Sequence, residues 1–82
     1  MAIRILRLPA VLALKGTSRS THYQEIANGL WPPGVRLGAR AKGWPDDECE
    51  TVLAARKADR SDDEIRAVVR SLVAARSRKS AA

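Results

Sequence analysis

The chain has 82 residues, of which 45% are hydrophobic and 29% charged, and its formal net charge is +6 at pH 7. A chain of this length forms one small domain that buries about 60–65% of its unfolded surface, which excludes a large divided catalytic cleft. One cysteine excludes an internal disulfide, and one cysteine with one histidine cannot supply the ligands of a structural zinc site.

No apolar run approaches the roughly 18 residues that a membrane-spanning helix needs. The apolar run at residues 8–14 is also too short for a signal peptide, and Lys15 follows it where a cleavage site should lie. We therefore expect a cytoplasmic protein with no membrane contact, no metal and no cofactor.

The charged residues are distributed unevenly along the chain. Residues 1–44 contain seven bases and one acid, residues 45–64 contain eight acids and three bases, and residues 65–82 contain five bases and no acid. A cationic body with so little acid is typical of proteins that bind polyanions, because neutralising phosphates releases condensed counterions. The alternative is a basic protein whose charge serves solubility alone. The distribution favours nucleic acid as the partner.

Two short helices are predicted near the start of the chain. Apolar residues spaced i, i+3 and i+4 follow a proline and stop at Gly16, which predicts a helix over 8–14. Ser18 is a suitable N-cap and Gly29 a suitable C-terminal stop, which predicts a second helix over 19–28. The link between them has the length and the glycine of a helix-turn-helix corner.

A β-hairpin is predicted after this pair, because two prolines at positions 32 and 33 exclude a continued helix. Apolar and basic residues alternate over 35–37 and 41–44 around a turn that contains Gly38. The pattern directs three bases toward solvent: Arg36, Arg40 and Lys42. We expect Trp44 to pack the hairpin against the helices and Trp31 to pack beneath the prolines.

Two further helices are predicted in the second half. Asp46, Asp47 and Glu48 occupy the first turn of the third helix, where the helix dipole favours anions. Its inward stripe contains Cys49, Val52, Leu53 and Arg56, with Arg56 contributing only its methylene groups. A capping box at 61–64 opens the fourth helix, whose apolar stripe contains Ile65, Val68, Val69, Leu72 and Val73.

The predicted fold class is mainly α with a small β-hairpin, a winged helix-turn-helix with an extra C-terminal helix. Residues 1–60 form the DNA-binding domain, 61–79 form an amphipathic helix, and 80–82 form a frayed tail. The last helix either packs on the third helix or mediates self-association on DNA, with the bases after residue 64 adding phosphate contacts. The two alternatives stay open.

Three segments together carry a resemblance to a known family. They read RILRLPAVL at residues 4–12, GTSRSTHY at 16–23 and PGVRLGARAKGW at 33–44. Over roughly residues 4–60 the chain resembles the AlpA family, small phage and prophage regulators with a MerR-like winged helix-turn-helix, similar to phage excisionases. The family often has Leu, Ile or Val at the position of His22, and commonly a base and an apolar residue at Gln24 and Glu25.

The resemblance implies sequence-specific binding to double-stranded DNA near attachment sites or promoters of an integrated element. It therefore also implies a bacterial protein that is associated with the nucleoid. Such proteins either activate genes for excision as transcriptional regulators or act as recombination directionality factors that bend DNA beside the integrase. The sequence does not separate the regulator from the excisionase.

The second helix can be placed in two registers. Periodicity alone buries Tyr23, Ile26, Ala27 and Leu30, and exposes Thr21, Gln24, Glu25 and Asn28. The register that the resemblance implies turns His22 and Ile26 inward and exposes Ser20, Tyr23, Gln24 and Ala27. We prefer the second register because it presents polar groups beside Arg19.

Eight residues are the predicted DNA-binding set: Arg19, Ser20, Thr21, Tyr23, Gln24, Arg36, Arg40 and Lys42. Gln24 can pair with adenine and Ser20 with either base type, while Tyr23 reaches a phosphate or sugar. A core position for the Tyr23 ring is the alternative. The hairpin bases form a phosphate clamp.

No catalytic residue is expected. His22 lies four residues after Ser18, but nothing is placed to orient the imidazole, so we expect a partly buried structural histidine. Cys49 on an apolar stripe should behave as a small hydrophobic residue. The alternative function is a protein-interaction module that docks on an integrase or a polymerase through the C-terminal helix. RNA binding has less support, because interleaved exposed aromatic residues are lacking.

Overall fold

A computed structural model describes the backbone of residues 3–81 and the side chains of residues 3–77. Four helices and three short strands follow one another in the chain. In order they are β1 (Ile5–Leu6), α1 (Leu8–Lys15), α2 (Arg19–Ala27), β2 (Val35–Arg36), β3 (Lys42–Pro45), α3 (Asp46–Lys57) and α4 (Asp62–Ala81). The architecture is a winged helix-turn-helix with an added C-terminal helix, as predicted.

The helix-turn-helix forms because α1 and α2 each carry local start and stop signals. Pro9 lies in the first turn of α1, and Gly16 ends that helix at φ 69° with its N–H donating to Leu12 O at 2.8 Å. The Ser18 hydroxyl accepts from the Thr21 N–H at 3.2 Å and caps α2. Gly29, at φ 75°, follows the end of α2. These predicted boundaries are confirmed to within one residue.

The sheet has three strands, in the order β1-β3-β2. The predicted hairpin is confirmed, with Val35 opposite Gly43 and Arg36 opposite Lys42. We use "wing" for this hairpin, residues 35–45. The prediction missed β1, whose Ile5 pairs with Pro45 and whose two residues are too few for an alternating pattern. Its pairing partner lies about forty residues away, so no local signal announces it.

The C-terminal helix packs within its own chain. The capping box is confirmed, since the Ser61 hydroxyl accepts from the Glu64 N–H at 3.2 Å and Glu64 accepts from the Ser61 N–H at 3.2 Å. Ile65 and Val69 of α4 are 4% and 5% exposed. Intrachain packing is thus the alternative that the structure adopts for this part of the stripe. The predicted frayed tail lies outside the described side chains.

Two bases of α4 attach the helix to the rest of the domain. The Arg76 guanidinium donates to the Glu48 carboxylate at 2.9 Å through Nε and to Pro33 O at 3.0 Å through Nη2. The Arg66 Nε donates to Asn28 O at 2.9 Å. Arg66 and Arg76, two of the five bases after residue 64, therefore bind their own chain.

The core lies between the helix-turn-helix, the wing and the C-terminal helices. Its buried hydrophobic members are Val11, Trp31, Trp44, Cys49, Val52, Ile65 and Val69. Trp44 Nε1 donates to Pro32 O at 2.9 Å, which fixes the wing to the proline segment. Trp31 and Trp44 are 0% and 2% exposed, which confirms that both rings are buried in the core.

Candidate nucleic-acid interface

A concavity of about 430 Å³ lies between the start of α1, the helix α2 and the wing. We call α2 the recognition helix, because it is the second helix of the helix-turn-helix. We call the concavity the groove. Its lining consists of Arg7, Leu8, Pro9, Arg19, Tyr23, Arg36, Gly38, Ala39, Arg40, Ala41, Lys42 and Trp44. The first helix of the pair, the recognition helix and the hairpin thus contribute to one surface.

Five bases line the groove and no acidic residue is among its lining residues. They are Arg7, Arg19, Arg36, Arg40 and Lys42, and all are exposed. Cations gathered in a concave surface reinforce one another's potential and concentrate polyanions there. The groove therefore has the charge and shape to hold the phosphate backbone of a nucleic acid.

The recognition helix adopts the register that the resemblance implied. His22 is 0% exposed and Ile26 is half-buried, while Tyr23 is 44% exposed. The register from periodicity alone is wrong, and so is the core position for Tyr23. The physical reason is that the His22 ring packs edge-on against Trp44, with ring centres 4.9 Å apart, and so takes the inward position.

The predicted residues of α2 fall into two groups. Arg19 and Tyr23 line the groove. Ser20, Thr21 and Gln24 are exposed on the same helix beside the groove, without lining it. The Thr21 hydroxyl accepts from Ser18 Oγ at 3.0 Å, so it also belongs to the helix cap. The structure brings five of the eight predicted residues into the groove and leaves three on its rim.

Arg7 is a groove residue that the predicted set did not include. It precedes α1 as the N-cap residue, with φ −86° and ψ 167°. Its charge was visible in the sequence, but its approach to the wing depends on packing between α1 and β3. The sequence signal that indicates Arg7 is a base two residues before Pro9, at the N-cap position of α1.

A buried ion cluster lies beneath the recognition helix. It consists of Lys15, His22, Glu25 and Arg56. Lys15 Nζ lies 2.6 Å from Glu25 Oε1 and 2.8 Å from His22 Nδ1. Burial lowers the pKa of Lys15, partly offset by Glu25. Lys15 therefore does not belong to the exposed cationic surface, although the sequence counts it among the bases of the first half.

Arg56 takes part in this cluster through its charge. Its Nη2 donates to Glu25 Oε2 at 3.1 Å. The expectation that Arg56 contributes only methylene groups is wrong, because a half-buried carboxylate on α2 faces it. The negative charge that sets Glu25 apart from the family pattern is compensated from α1 and α3, so it does not reduce the positive potential of the groove.

Cys49 and His22 show no arrangement suited to nucleophilic chemistry. Burial raises the pKa of Cys49 to about 11, so the thiol stays neutral. His22 is fully buried, more so than the partial burial that we expected. Within residues 3–77, no three His, Cys, Asp or Glu side chains come close enough to hold a metal ion. No described helix is long and apolar enough to cross a bilayer.

Comparison with known proteins adds an independent result. The family model described as prophage CP4-57 regulatory protein (AlpA) matches residues 4–56. The uncharacterized protein ORF88 of Enterobacteria phage P4 is 44% identical over 57 residues, which span 70% of this chain and 65% of that relative. No solved structure gives a significant match. The groove residues of α1, α2 and the wing all lie within the matched segment, and the chain belongs to the AlpA family of phage regulatory proteins.

Proposed function

We propose that the chain is a sequence-specific double-stranded-DNA-binding regulator of a phage or an integrative element, and that it controls excision. The observation that carries the proposal is the position of the recognition helix and the wing on one side of the molecule. A major groove about 12 Å wide admits one α-helix. The helix α2 lies at the edge of the concave cationic surface, so it can enter the major groove of DNA while the Arg and Lys side chains of that surface hold the DNA phosphates.

The two groups of α2 residues suit different contacts. Gln24 and Ser20 are polar, exposed and free to meet base edges, where an amide pairs with adenine through two hydrogen bonds. Arg36, Arg40 and Lys42 on the wing bind phosphates, which position the protein without reading sequence. Tyr23 and Arg19 lie between the α2 residues that meet bases and the wing residues that bind phosphates, so they contact the sugar-phosphate backbone of the DNA.

Two modes of action use the same surface. As a transcriptional regulator, the protein binds one site at a promoter. As an excisionase, it binds several adjacent sites near an attachment site and bends the DNA beside the integrase. In the second mode, self-association on DNA and contact with the integrase assist loading. Ile5 of β1 and Leu37, which follows β2, are 42% and 45% exposed and both lie beside Gly43, so they offer a small apolar surface for such a contact.

Footprinting across the attachment site and neighbouring promoters of the element tests the proposal. We expect protected sequences at one or both regions, and electrophoretic phasing measures bending at each. Several cooperative, bent sites near the attachment site indicate an excisionase, and one unbent site at a promoter indicates a regulator. Absence of protection at every site, at low salt, would contradict DNA recognition altogether.

The alternative is a protein-interaction module that docks through the C-terminal helix. It has less support, because Ile65 and Val69 of that helix are already covered by the chain itself. Replacing Arg36, Arg40 and Lys42 together by alanine separates the two. If the triple variant still binds an integrase or a polymerase in the absence of DNA, the result would favour the alternative.

A further inference from the structure

The contact between α1 and the recognition helix depends on one buried ammonium group. The Lys15 side chain is 2% exposed, and its Nζ lies 4.1 Å from the centre of the Trp31 ring. Lys15 Nζ lies 2.6 Å from Glu25 Oε1 and 2.8 Å from His22 Nδ1. Glu25 and His22 are one turn apart on α2. A charge with so little access to water persists only where such partners replace its hydration.

This geometry fixes the protonation state of His22. An ammonium group can only donate, so Nδ1 must accept, and the ring proton must be on Nε2. A doubly protonated imidazolium has no acceptor atom, and two cations at 2.8 Å repel each other. Nε2 has no hydrogen-bond partner among the described residues, so a cationic ring would not gain a compensating contact there.

We propose that Lys15 and His22 are positioning residues for DNA recognition, and that reading of the base sequence requires a neutral His22 imidazole. The inference rests on the proposed function, because the role that it gives to Lys15 and His22 is to hold α2 at the angle that sequence-specific DNA binding requires. Neither residue touches DNA. Both act through the turn of α2 that carries Tyr23 and Gln24 on its opposite face.

The surroundings of His22 support this role. Lys15 from α1 and Glu25 from α2 are the charged groups that act on the ring. Arg56 and Cys49 of α3 act in turn on Lys15, while the neighbouring loop and β3 present the uncharged rings of Trp31 and Trp44. Burial, and next the charge of Lys15, lower the pKa of His22. The ring is therefore neutral at pH 7, and acidification forces a rearrangement.

Protonation of His22 has a specific structural consequence. The imidazolium displaces Lys15 from Nδ1 and competes with it for the Glu25 carboxylate. The turn of α2 between these residues then shifts relative to α1. The hydrogen bond from Trp44 Nε1 to Pro32 O does not involve His22, so it continues to hold the wing and the phosphate contacts of the wing persist. Discrimination between DNA sequences should fall, while affinity for an unrelated duplex should change little.

The test measures affinity by fluorescence anisotropy for a footprinted duplex and a scrambled duplex, at constant ionic strength, from about pH 7.5 to about pH 5. The chain has one histidine, and the ordinary pKa of its side chain lies within this window; the α-amino group and the carboxylates that begin to titrate there are the same in His22→Leu, which isolates the contribution of His22. We expect specific affinity to fall toward pH 5, by less than the roughly 30-fold that an ordinary pKa of 6.5 would give at that pH when only the neutral form binds, because burial lowers the pKa of His22. Affinity for the scrambled duplex should change less than about threefold.

Three variants complete the experiment. His22→Leu should show the same ratio of affinities for the footprinted and scrambled duplexes at about pH 7.5 and about pH 5, because leucine cannot titrate. Lys15→Met should show a small ratio at either pH. Lys57→Met is the matched control, since it removes an exposed lysine of α3 and should behave as the wild type. Circular dichroism follows helix content throughout, and the wild-type profile decides the result if either substituted protein fails to fold.

Each outcome supports or overturns a defined statement. A selective, pH-dependent loss that His22→Leu abolishes supports the positioning role. The NMR signals of the single histidine show when its ring is protonated. Wild-type discrimination that stays constant while the ring becomes protonated, with intact helix content, overturns the positioning role, and so does an equal loss of affinity for both duplexes. Absence of binding to either duplex at every pH instead overturns the proposed function itself, and the positioning role with it.

Discussion

Removal of one groove base should change the salt dependence of DNA binding by a calculable amount. Five bases line the groove. If each neutralises one phosphate, log affinity falls with log salt at a slope of about −4.5, from roughly −0.9 per phosphate. Lys42→Ala should reduce the slope to about −3.6. Between roughly 50 and 200 mM salt, wild-type affinity should therefore fall about 500-fold and that of the variant about 150-fold.

Anisotropy titrations at several salt concentrations, on a footprinted and a scrambled duplex, measure these slopes. Arg70→Ala is the matched control, because Arg70 is an exposed base of α4 that does not line the groove. It should leave the slope unchanged. Gln24→Ala should keep the wild-type slope and lose base preference. Equal slopes for Lys42→Ala and Arg70→Ala, or equal effects of Lys42→Ala and Gln24→Ala on every sequence, would refute the assignment of phosphate contacts to the wing.

Four further predictions concern the fold. Arg76→Ala leaves the Glu48 carboxylate, 9% exposed, without this partner and should lower the free energy of unfolding by about 2–3 kcal/mol in urea denaturation; a loss below about 1 kcal/mol would show that the pair is dispensable. Gly43→Ala places a Cβ against Cγ2 of Ile5 and 3.2 Å from Leu6 O, so it should lower the free energy of unfolding by about 1–3 kcal/mol. An unchanged melting temperature would argue against the close packing of β1 on β3. Because burial raises the pKa of Cys49 to about 11, a thiol reagent at about pH 8 should react only as the protein unfolds, and immediate reaction of the native protein is the opposite result. The folded chain holds the pKa of His22 below the ordinary 6.5, so the unfolded state binds that proton more tightly and stability should decrease as pH falls below 6.5; thermal denaturation of His22→Leu should lack this component.

Local signals in the sequence were enough to predict the helices and the wing. Caps act within one turn, so Ser18, Gly29 and the Ser61–Glu64 box determine helix ends independently of the rest of the fold. The hairpin has the same local character. Five predicted groove residues followed from these elements, because a helix-turn-helix beside a wing places them on one side of the molecule.

The remaining features depend on contacts between distant segments. The strand β1 exists because Pro45 and Trp44 pair with it, and two residues carry no period of their own. The inward position of His22 depends on the two buried tryptophans, so simple apolar periodicity placed Tyr23 there instead. The sequence pattern predicts Lys15 as a surface base, whereas in the fold Glu25 and Trp31 surround its ammonium group.

The central statement is that the surface formed by α1, α2 and the wing holds duplex DNA. Amide chemical-shift mapping by NMR, with a footprinted duplex added to the labelled protein, tests it most directly. We expect the largest changes at residues 7–8, 19–24 and 36–42, which contain the groove bases and the exposed face of α2. Changes confined to α3 and α4, or no changes in low salt, would contradict it.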